Sequence, residues 1–133
     1  MEHVIEVRVN YADTDAGGVV YYANYLRYFE MGRTEYLREK GISLGELMKE
    51  NLVFTVRDVK CEYISPAYYD DLLRIKTRVS SIEGVRISFE HEVLRAGTDE
   101  VLAKGCVLMV PIDTLKMRPV RIPPKVLSAL GVS

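Results

Sequence analysis

Between Val101 and Pro111 the chain has almost no polar side, because Leu102, Ala103, Cys106, Val107, Leu108, Met109 and Val110 crowd one short segment. A strand apolar on both faces is normally covered on both. Three earlier segments alternate instead. In Val53 to Tyr63, Val59, Cys61 and Tyr63 are interleaved with Lys60 and Glu62. In Leu73 to Val79, Leu73, Ile75, Thr77 and Val79 are interleaved with Arg74, Lys76 and Arg78. In Val85 to Val93, Val85, Ile87, Phe89, His91 and Val93 stand opposite Arg86, Ser88, Glu90 and Glu92. Period-two patterning of this kind specifies strands. One long helical segment precedes them all, and a single helix covers only one face of a sheet. A second subunit is therefore expected over the other face, which makes the chain an oligomer.

The remaining punctuation completes the order. Val4 to Asn10 alternates and reads as a first strand. Asp13 to Gly18 is a loop of acids and glycines. Tyr22 to Lys40 reads as a helix with Gly41 as its C-cap and an apolar stripe of Tyr22, Leu26, Phe29, Tyr36 and Leu37. Arg33 interrupts the stripe, and Gly32 permits close approach of the sheet. Ser43 caps a short helix, Leu44 to Lys49, with Glu46 completing a capping box. Turns are expected at Pro66 to Asp71, Gly84 and Ala96 to Glu100, and a short helix within Ile122 to Leu130. A tight turn at Gly84 sets Arg78 opposite Glu90 and Lys76 opposite Glu92. Strand, long helix and four antiparallel strands make an α+β architecture, a helix on one face of a curved sheet. No repeat or linker divides the 133 residues, so residues 1–133 read as a single domain.

Composition removes several classes of function. Lys plus Arg number 18 and Asp plus Glu 19, which leaves no general basic field for nucleic acid. The N-terminus alternates and contains no long apolar run, so neither a signal peptide nor a membrane span is expected. Cys61 and Cys106 share no CxxC motif and read as buried thiols of a cytoplasmic protein. With His3 and His91 as the only histidines, a zinc site is not expected, and His91 on an apolar strand face reads as a core histidine.

The densest chemistry lies in Tyr11 to Tyr25. Asp13 and Asp15 stand two apart, so in an extended stretch they point the same way. Gly17 and Gly18 let the backbone turn and approach a ligand. The helix start beyond them offers amides without intrahelical partners. A carboxylate beside such amides suits acyl transfer to water, with the amides holding the oxyanion. The same residues would also serve a plain turn, the aspartates bonding only to the loop. Asp13, Asp15 and Gly18 match a calcium loop in part, but Gly17 and Asn24 do not, and a strand precedes the loop. Gly41 to Gly45 spells GxSxG, yet a charged helix stands where a nucleophile elbow needs a strand. No GxxxxGK loop is present for a nucleoside triphosphate. The tail from Thr114 on has no acid and carries Lys116, Arg118, Arg121 and Lys125, a set suited to ligand phosphates or to plain solvation.

The stretch Tyr11 to Tyr25, with Phe29-Glu30 and Arg33-Thr34-Glu35, resembles the 4-hydroxybenzoyl-CoA thioesterase family of hotdog-fold proteins, and within it the acyl-CoA thioesterases associated with the Tol–Pal cluster. The similarity continues at Tyr63 to Ala67, Asp70 to Leu72 and Arg118 to Arg121. The resemblance implies a hotdog fold, a long central helix wrapped by a five-stranded antiparallel sheet. It implies dimers with two sites at the subunit interface, often paired into tetramers. Asp15 matches the family's catalytic carboxylate, as general base or nucleophile, and the Tyr22 backbone amide its oxyanion donor. Asn24 matches an asparagine beside it, and Glu30 matches an acid that faces the acyl group from the partner's helix. Tyr22 departs from the histidine of Tol–Pal-associated members; a tyrosine, with its pKa near 10, is poorly matched to acid–base work at neutral pH.

The expected activity is hydrolysis of an acyl-CoA thioester to free acid and CoA, with no metal or cofactor. Gly18, Tyr21, Tyr25 and Glu30 are candidates around the acyl group, and Arg57, Lys60, Arg118 and Arg121 for the CoA phosphates. Two alternatives keep the fold: a non-catalytic module holding an acyl-CoA or acyl-carrier protein, and a hydratase, whose Asp/His pair finds no histidine near this cluster.

Overall fold

The structure, a computed structural model, describes residues 2–131. Strand β1 spans His3–Arg8, and a 3-10 turn follows at Tyr11–Asp13. Helix α1 spans Asn24–Glu39 and α2 Leu44–Lys49. Four long strands come next: β2 (Leu52–Tyr63), β3 (Leu72–Glu83), β4 (Arg86–Arg95) and β5 (Val101–Asp113). A two-residue strand, β6 (Arg118–Pro119), and helix α3 (Pro124–Ala129) close the order. The sheet runs β1-β3-β4-β5-β2, antiparallel throughout, with β6 added beside β5. Five long strands around one long helix are the hotdog arrangement. The unanticipated strand β6 pairs Pro119 with Ile112 and Arg118 with Asp113.

The tight turn at Gly84 fixes the register of β3 and β4 as expected, Arg78 opposite Glu90 and Lys76 opposite Glu92. Arg78 and Glu90 form an ion pair. Ser43 is a helix cap, its hydroxyl accepting the Glu46 N–H at 3.2 Å, so the GxSxG match is part of a cap.

Helix α1 packs on the inner face of the sheet with a different stripe from the one expected. Its buried residues are Tyr25, Tyr28, Phe29, Gly32, Arg33, Tyr36 and Leu37, while Tyr22 and Leu26 are exposed. The helix starts at Asn24, and Tyr22 and Ala23 lie in a turn that leads into it, so the stripe is set by the helix that forms rather than by a periodicity begun at Tyr22. Two glycines allow the approach. A Cβ on Gly32 would stand 2.5 Å from Thr77 Oγ1, and one on Gly105 would collide with the Phe29 ring. Phe29 and Tyr28 are fully buried, each such side chain contributing about 1.5–3 kcal/mol of burial free energy.

The outer face of the sheet is not the apolar surface that β5 alone implied. Across β3, β4, β5 and β2 the register sets Lys76, Glu92, Lys104 and Glu62 in one row of alternating sign. Lys104 and Cys106 are exposed, whereas Leu102 and Val110 are buried. The apolar excess of β5 is thus absorbed within the chain. Cys61 is only partly buried and Cys106 is exposed; both are free thiols, where buried ones were expected.

His91 is a core histidine, 2% exposed, its ring stacked on Phe29 with centroids 4.7 Å apart. Its Nδ1 lies 3.0 Å from Thr77 Oγ1, and its Nε2 lies 3.4 Å from Arg33 Nη1. A guanidinium only donates, so Nε2 accepts and the ring proton resides on Nδ1. Burial, with the charge of Arg33 beside it, pushes the His91 pKa down to about 3. In the unfolded chain the same ring titrates near 6.5. Between those values the unfolded state binds the extra proton, so this contribution to stability is full above pH 6.5 and is lost as pH falls toward 3. Urea titrations between pH 7 and pH 4.5 are expected to show stability falling on acidification, with His91 contributing up to about 1.4 kcal/mol per pH unit. His91→Gln is expected to be less stable at pH 7 and flatter across that range; an unchanged slope would contradict the burial of a neutral ring.

Candidate active site

Asp13 and Asp15 do not point the same way. The 3-10 turn Tyr11–Asp13 bends the chain between the first strand and the loop, so Asp13 turns inward, 5% exposed, and Asp15 stays in solvent. Asp13 is fully engaged. Its Oδ2 accepts the Asn10 N–H at 3.0 Å and the Tyr28 hydroxyl at 2.9 Å, and its carboxylate pairs with Arg27. Burial and the Asp13 carboxylate together hold the Tyr28 pKa well above the ordinary phenol value, so this hydroxyl remains a donor.

Beyond Asp13 the backbone forms a small hairpin. Tyr21 N–H donates to Asp13 O at 2.9 Å, and Asp15 N–H donates to Val19 O at 3.0 Å. Ala16, Gly17 and Gly18 make the loop, closed by Gly18 N–H on Asp15 O at 3.0 Å. A three-residue hairpin loop needs a left-handed residue at its end, and Gly18 has φ +81°. The Gly17 N–H holds Asp15 Oδ1 at 2.8 Å, which fixes the carboxylate at the hairpin corner. The Val20 N–H donates to Ala67 O at 2.8 Å, seating the hairpin against the turn that follows β2.

The hairpin delivers the chain to α1. Tyr21 O accepts the Asn24 N–H at 2.9 Å, and Asn24 Nδ2 reaches back to Asp13 O at 2.8 Å. Tyr22 O accepts the Tyr63 hydroxyl at 3.0 Å. Burial, with smaller effects of Cys61, pushes the Tyr63 pKa up to about 12, so this hydroxyl stays protonated at neutral pH. Both peptides flanking Tyr22 are therefore held by their carbonyls, while among the described residues no group accepts the Tyr22 or Ala23 N–H. Free amides at a helix entrance are donors suited to negative charge. The Asp15 carboxylate is near enough to contribute to the raised pKa of the Tyr21 hydroxyl, behind the larger influence of Tyr22.

An exposed, fixed carboxylate and two unengaged main-chain donors thus lie on one hairpin and the helix entrance that follows it. The sequence profile of the thioesterase-like superfamily matches residues 9–130. The chain belongs to this superfamily. A protein of Haemophilus influenzae named acyl-CoA thioesterase YbgC is 44% identical over 124 residues, covering 92% of this chain and 90% of its own. The crystal structure of a probable thioesterase from Bartonella henselae is 38% identical, has a TM-score of 0.81, and covers 92% of this chain and 98% of its own. That of a DHNA-CoA thioesterase from Staphylococcus aureus is 25% identical with a TM-score of 0.93, covering 98% of this chain and 89% of its own.

Within this thioesterase-like chain, Asp15, Gly18, Tyr21, Tyr22 and Asn24 share the hairpin and the helix entrance. Tyr25 does not line an open pocket. It is 3% exposed, its ring packs on Tyr28 and Tyr63, and its hydroxyl accepts the Ala67 N–H at 3.3 Å. Glu30 lies further along α1, where it accepts the Thr34 hydroxyl at 2.6 Å and borders a cavity of about 420 Å³. Arg33, Leu44, Met48, Phe54 and Phe89 line the same cavity, most of whose walls are apolar. Arg118 and Arg121 are exposed near the start of β2, because β6 pairs with Asp113 and Asp113 with Leu52. Tyr63, beside Tyr22, ends the same strand. The 12 residues of β2 separate these two ends by about 36 Å. Arg57 is exposed at the β2 bulge and Lys60 is exposed in the same strand, away from the hairpin.

Tyr63 and the apolar lining of the cavity are not singled out from sequence as site residues. Alternation marked Tyr63 as a sheet residue, and its partner Tyr22 is 41 positions away. Gly18→Ala is expected to destabilise the fold by about 1–2 kcal/mol in urea denaturation, because φ +81° strains any residue with a Cβ although nothing crowds it. A change below the error of that measurement would show that the hairpin corner adapts.

Proposed function

We propose that this chain is an acyl-CoA thioesterase in which Asp15 is the catalytic carboxylate and the Tyr22 N–H, with the Ala23 N–H beside it, binds the oxyanion. The observation that carries this reading is the pair of free amides at the helix entrance next to an exposed, fixed carboxylate. The thioester carbonyl accepts from the amides, which lowers the cost of negative charge on its oxygen. Asp15 then takes a proton from water as the water oxygen attacks the carbonyl carbon, or attacks that carbon itself to give an anhydride that water opens. Collapse of the tetrahedral species expels the CoA thiolate and leaves the free acid. Each such donor is worth about 2.7–4 kcal/mol in the transition state. The names of the Haemophilus and Staphylococcus relatives, both thioesterases and both citing a CoA ester, support the CoA-ester class.

A second copy completes the site in this reading. Strand β2 is the sheet's edge and pairs only with β5 among the described strands. Twelve residues of unpaired edge are a ready template for another strand. A two-fold axis at the middle of β2 joins two copies antiparallel, and an isologous contact of this kind brings the Leu52 end of one copy to the Tyr63 end of the other. The partner's Glu30 and its apolar cavity then face Asp15 and Tyr22, and the partner's Arg118 and Arg121 come to the same side. The acyl group enters the partner's cavity and the CoA phosphates meet the arginines. Such dimers, alone or paired into tetramers, act in the cytoplasm, where free thiols such as Cys61 and Cys106 persist.

Release of free thiol from acetyl-, butyryl-, long-chain and 4-hydroxybenzoyl-CoA tests the activity. Asp15→Asn is expected to lower kcat by about 10²- to 10⁴-fold. Tyr22→Phe is expected to cost far less, because the donor is a main-chain group. Equal losses in the two variants would overturn the assignment, and tight binding of every ester without turnover would favour a non-catalytic acyl-CoA module.

A further inference from the structure

We infer that Asp13 is a positioning residue for the reaction, a buried anchor that ties the hairpin bearing the catalytic carboxylate to the helix entrance bearing the oxyanion donors. This inference rests on the thioesterase reading of Asp15 and Tyr22.

The observation is the number and direction of the bonds that converge on Asp13. Its main-chain oxygen accepts the Tyr21 N–H at 2.9 Å and Asn24 Nδ2 at 2.8 Å, the residues that flank the turn bearing the two free amides. Its side chain accepts the Asn10 N–H at 3.0 Å and the Tyr28 hydroxyl at 2.9 Å and pairs with Arg27, so it is anchored both to the end of the first strand segment and to the first turns of α1. Two residues on, Asp15 occupies the corner of the hairpin whose first rung is the Asp13–Tyr21 bond. A shift of Asp13 therefore moves Asp15 and the Tyr22 amide relative to each other. Asn24 and Tyr21 share in this junction, but among the described residues of the site Asp13 alone adds side-chain bonds to Asn10, Arg27 and Tyr28.

The burial of Asp13 sharpens the case. A carboxylate 5% exposed needs its partners, and losing one of a buried pair costs more than the pair itself contributes. The aspartate is thus held in one geometry. Reacting groups misplaced by about 1 Å can lose about 10²-fold in rate, so a residue that fixes their separation acts on kcat and leaves ground-state binding largely alone. A residue that served only the fold would change the temperature of unfolding without changing kcat per folded site.

The test is steady-state thiol release with matched thermal unfolding for the native chain, Asp13→Asn and Tyr28→Phe, assayed well below the lowest melting temperature. Asp13→Asn keeps the shape and one acceptor but loses the ion pair with Arg27. It is expected to lower kcat about 10- to 100-fold with KM changed by less than about threefold. Tyr28→Phe removes one bond to the same carboxylate and leaves the hairpin sequence intact. It is expected to lower kcat about three- to tenfold, and the double variant to be no worse than Asp13→Asn alone. Native kcat in a folded Asp13→Asn chain would overturn the inference. If Asp13→Asn does not fold, Tyr28→Phe decides, and native kcat there would overturn it equally. Absence of thiol release by the native chain would instead overturn the thioesterase reading on which the inference stands.

Discussion

The Phe29 ring lying over Gly105, stacked on His91, is the contact on which the rest of the molecule depends. It sets how close α1 stands to the sheet, and only a glycine at 105 leaves room for it. Gly32 makes the matching allowance on the helix, against Thr77. From that seat the helix presents Tyr25 and Tyr28 to the turn after β2 and to the 3-10 turn before the hairpin. The hairpin is thus hung from the helix by Asp13, and the free amides of Tyr22 and Ala23 emerge where the two meet. Packing in the core and chemistry at the surface belong to one chain of contacts.

Much of this was legible in the residues because local physics decides it. Alternation located β2, β3 and β4, an almost wholly apolar run located β5, and Gly84 fixed the register that sets Arg78 against Glu90. The acids and glycines of the hairpin, followed by a helix entrance, marked where the chemistry lies. The failures have a common cause, which is that long-range contact overrules local pattern. Tyr22 was counted into the helix stripe although the bond from Tyr63 to its carbonyl belongs to a turn. Asp13 and Asp15 were paired by the two-residue period of an extended chain, which the turn at Tyr11–Asp13 breaks. The apolar crowding of β5 suggests a face awaiting a partner, but the neighbouring strands supply a charged outer surface with it. Strand β6 left no signal, since two residues are too few for any period.

In the proposed function the site is divided along β2, and that division gives this chain's family membership its mechanistic content. In the proposed site the carboxylate and the amides stand near the Tyr63 end of β2 and the tail arginines near the Leu52 end, while Glu30 lies about two turns along α1 beside a cavity that runs along β2 from Leu52 to Val56. No motion within a compact chain brings ends about 36 Å apart together. The proposed two-fold related copy would join them, and β2, an edge strand among the described residues, is the place it would pair.

The most direct test of that division is a hybrid of two inactive chains. One carries Asp15→Asn; the other carries Met48→Arg, which sets a charge at the apolar cavity. Each variant alone lacks one half of every site. Refolded together, they form mixed dimers in which one site joins the native Asp15 of one chain to the native cavity of the other. Recovery of thiol release on mixing is the predicted result. Two variants that are each inactive and stay inactive when mixed, with mixed dimers shown to form, would contradict a site shared between copies.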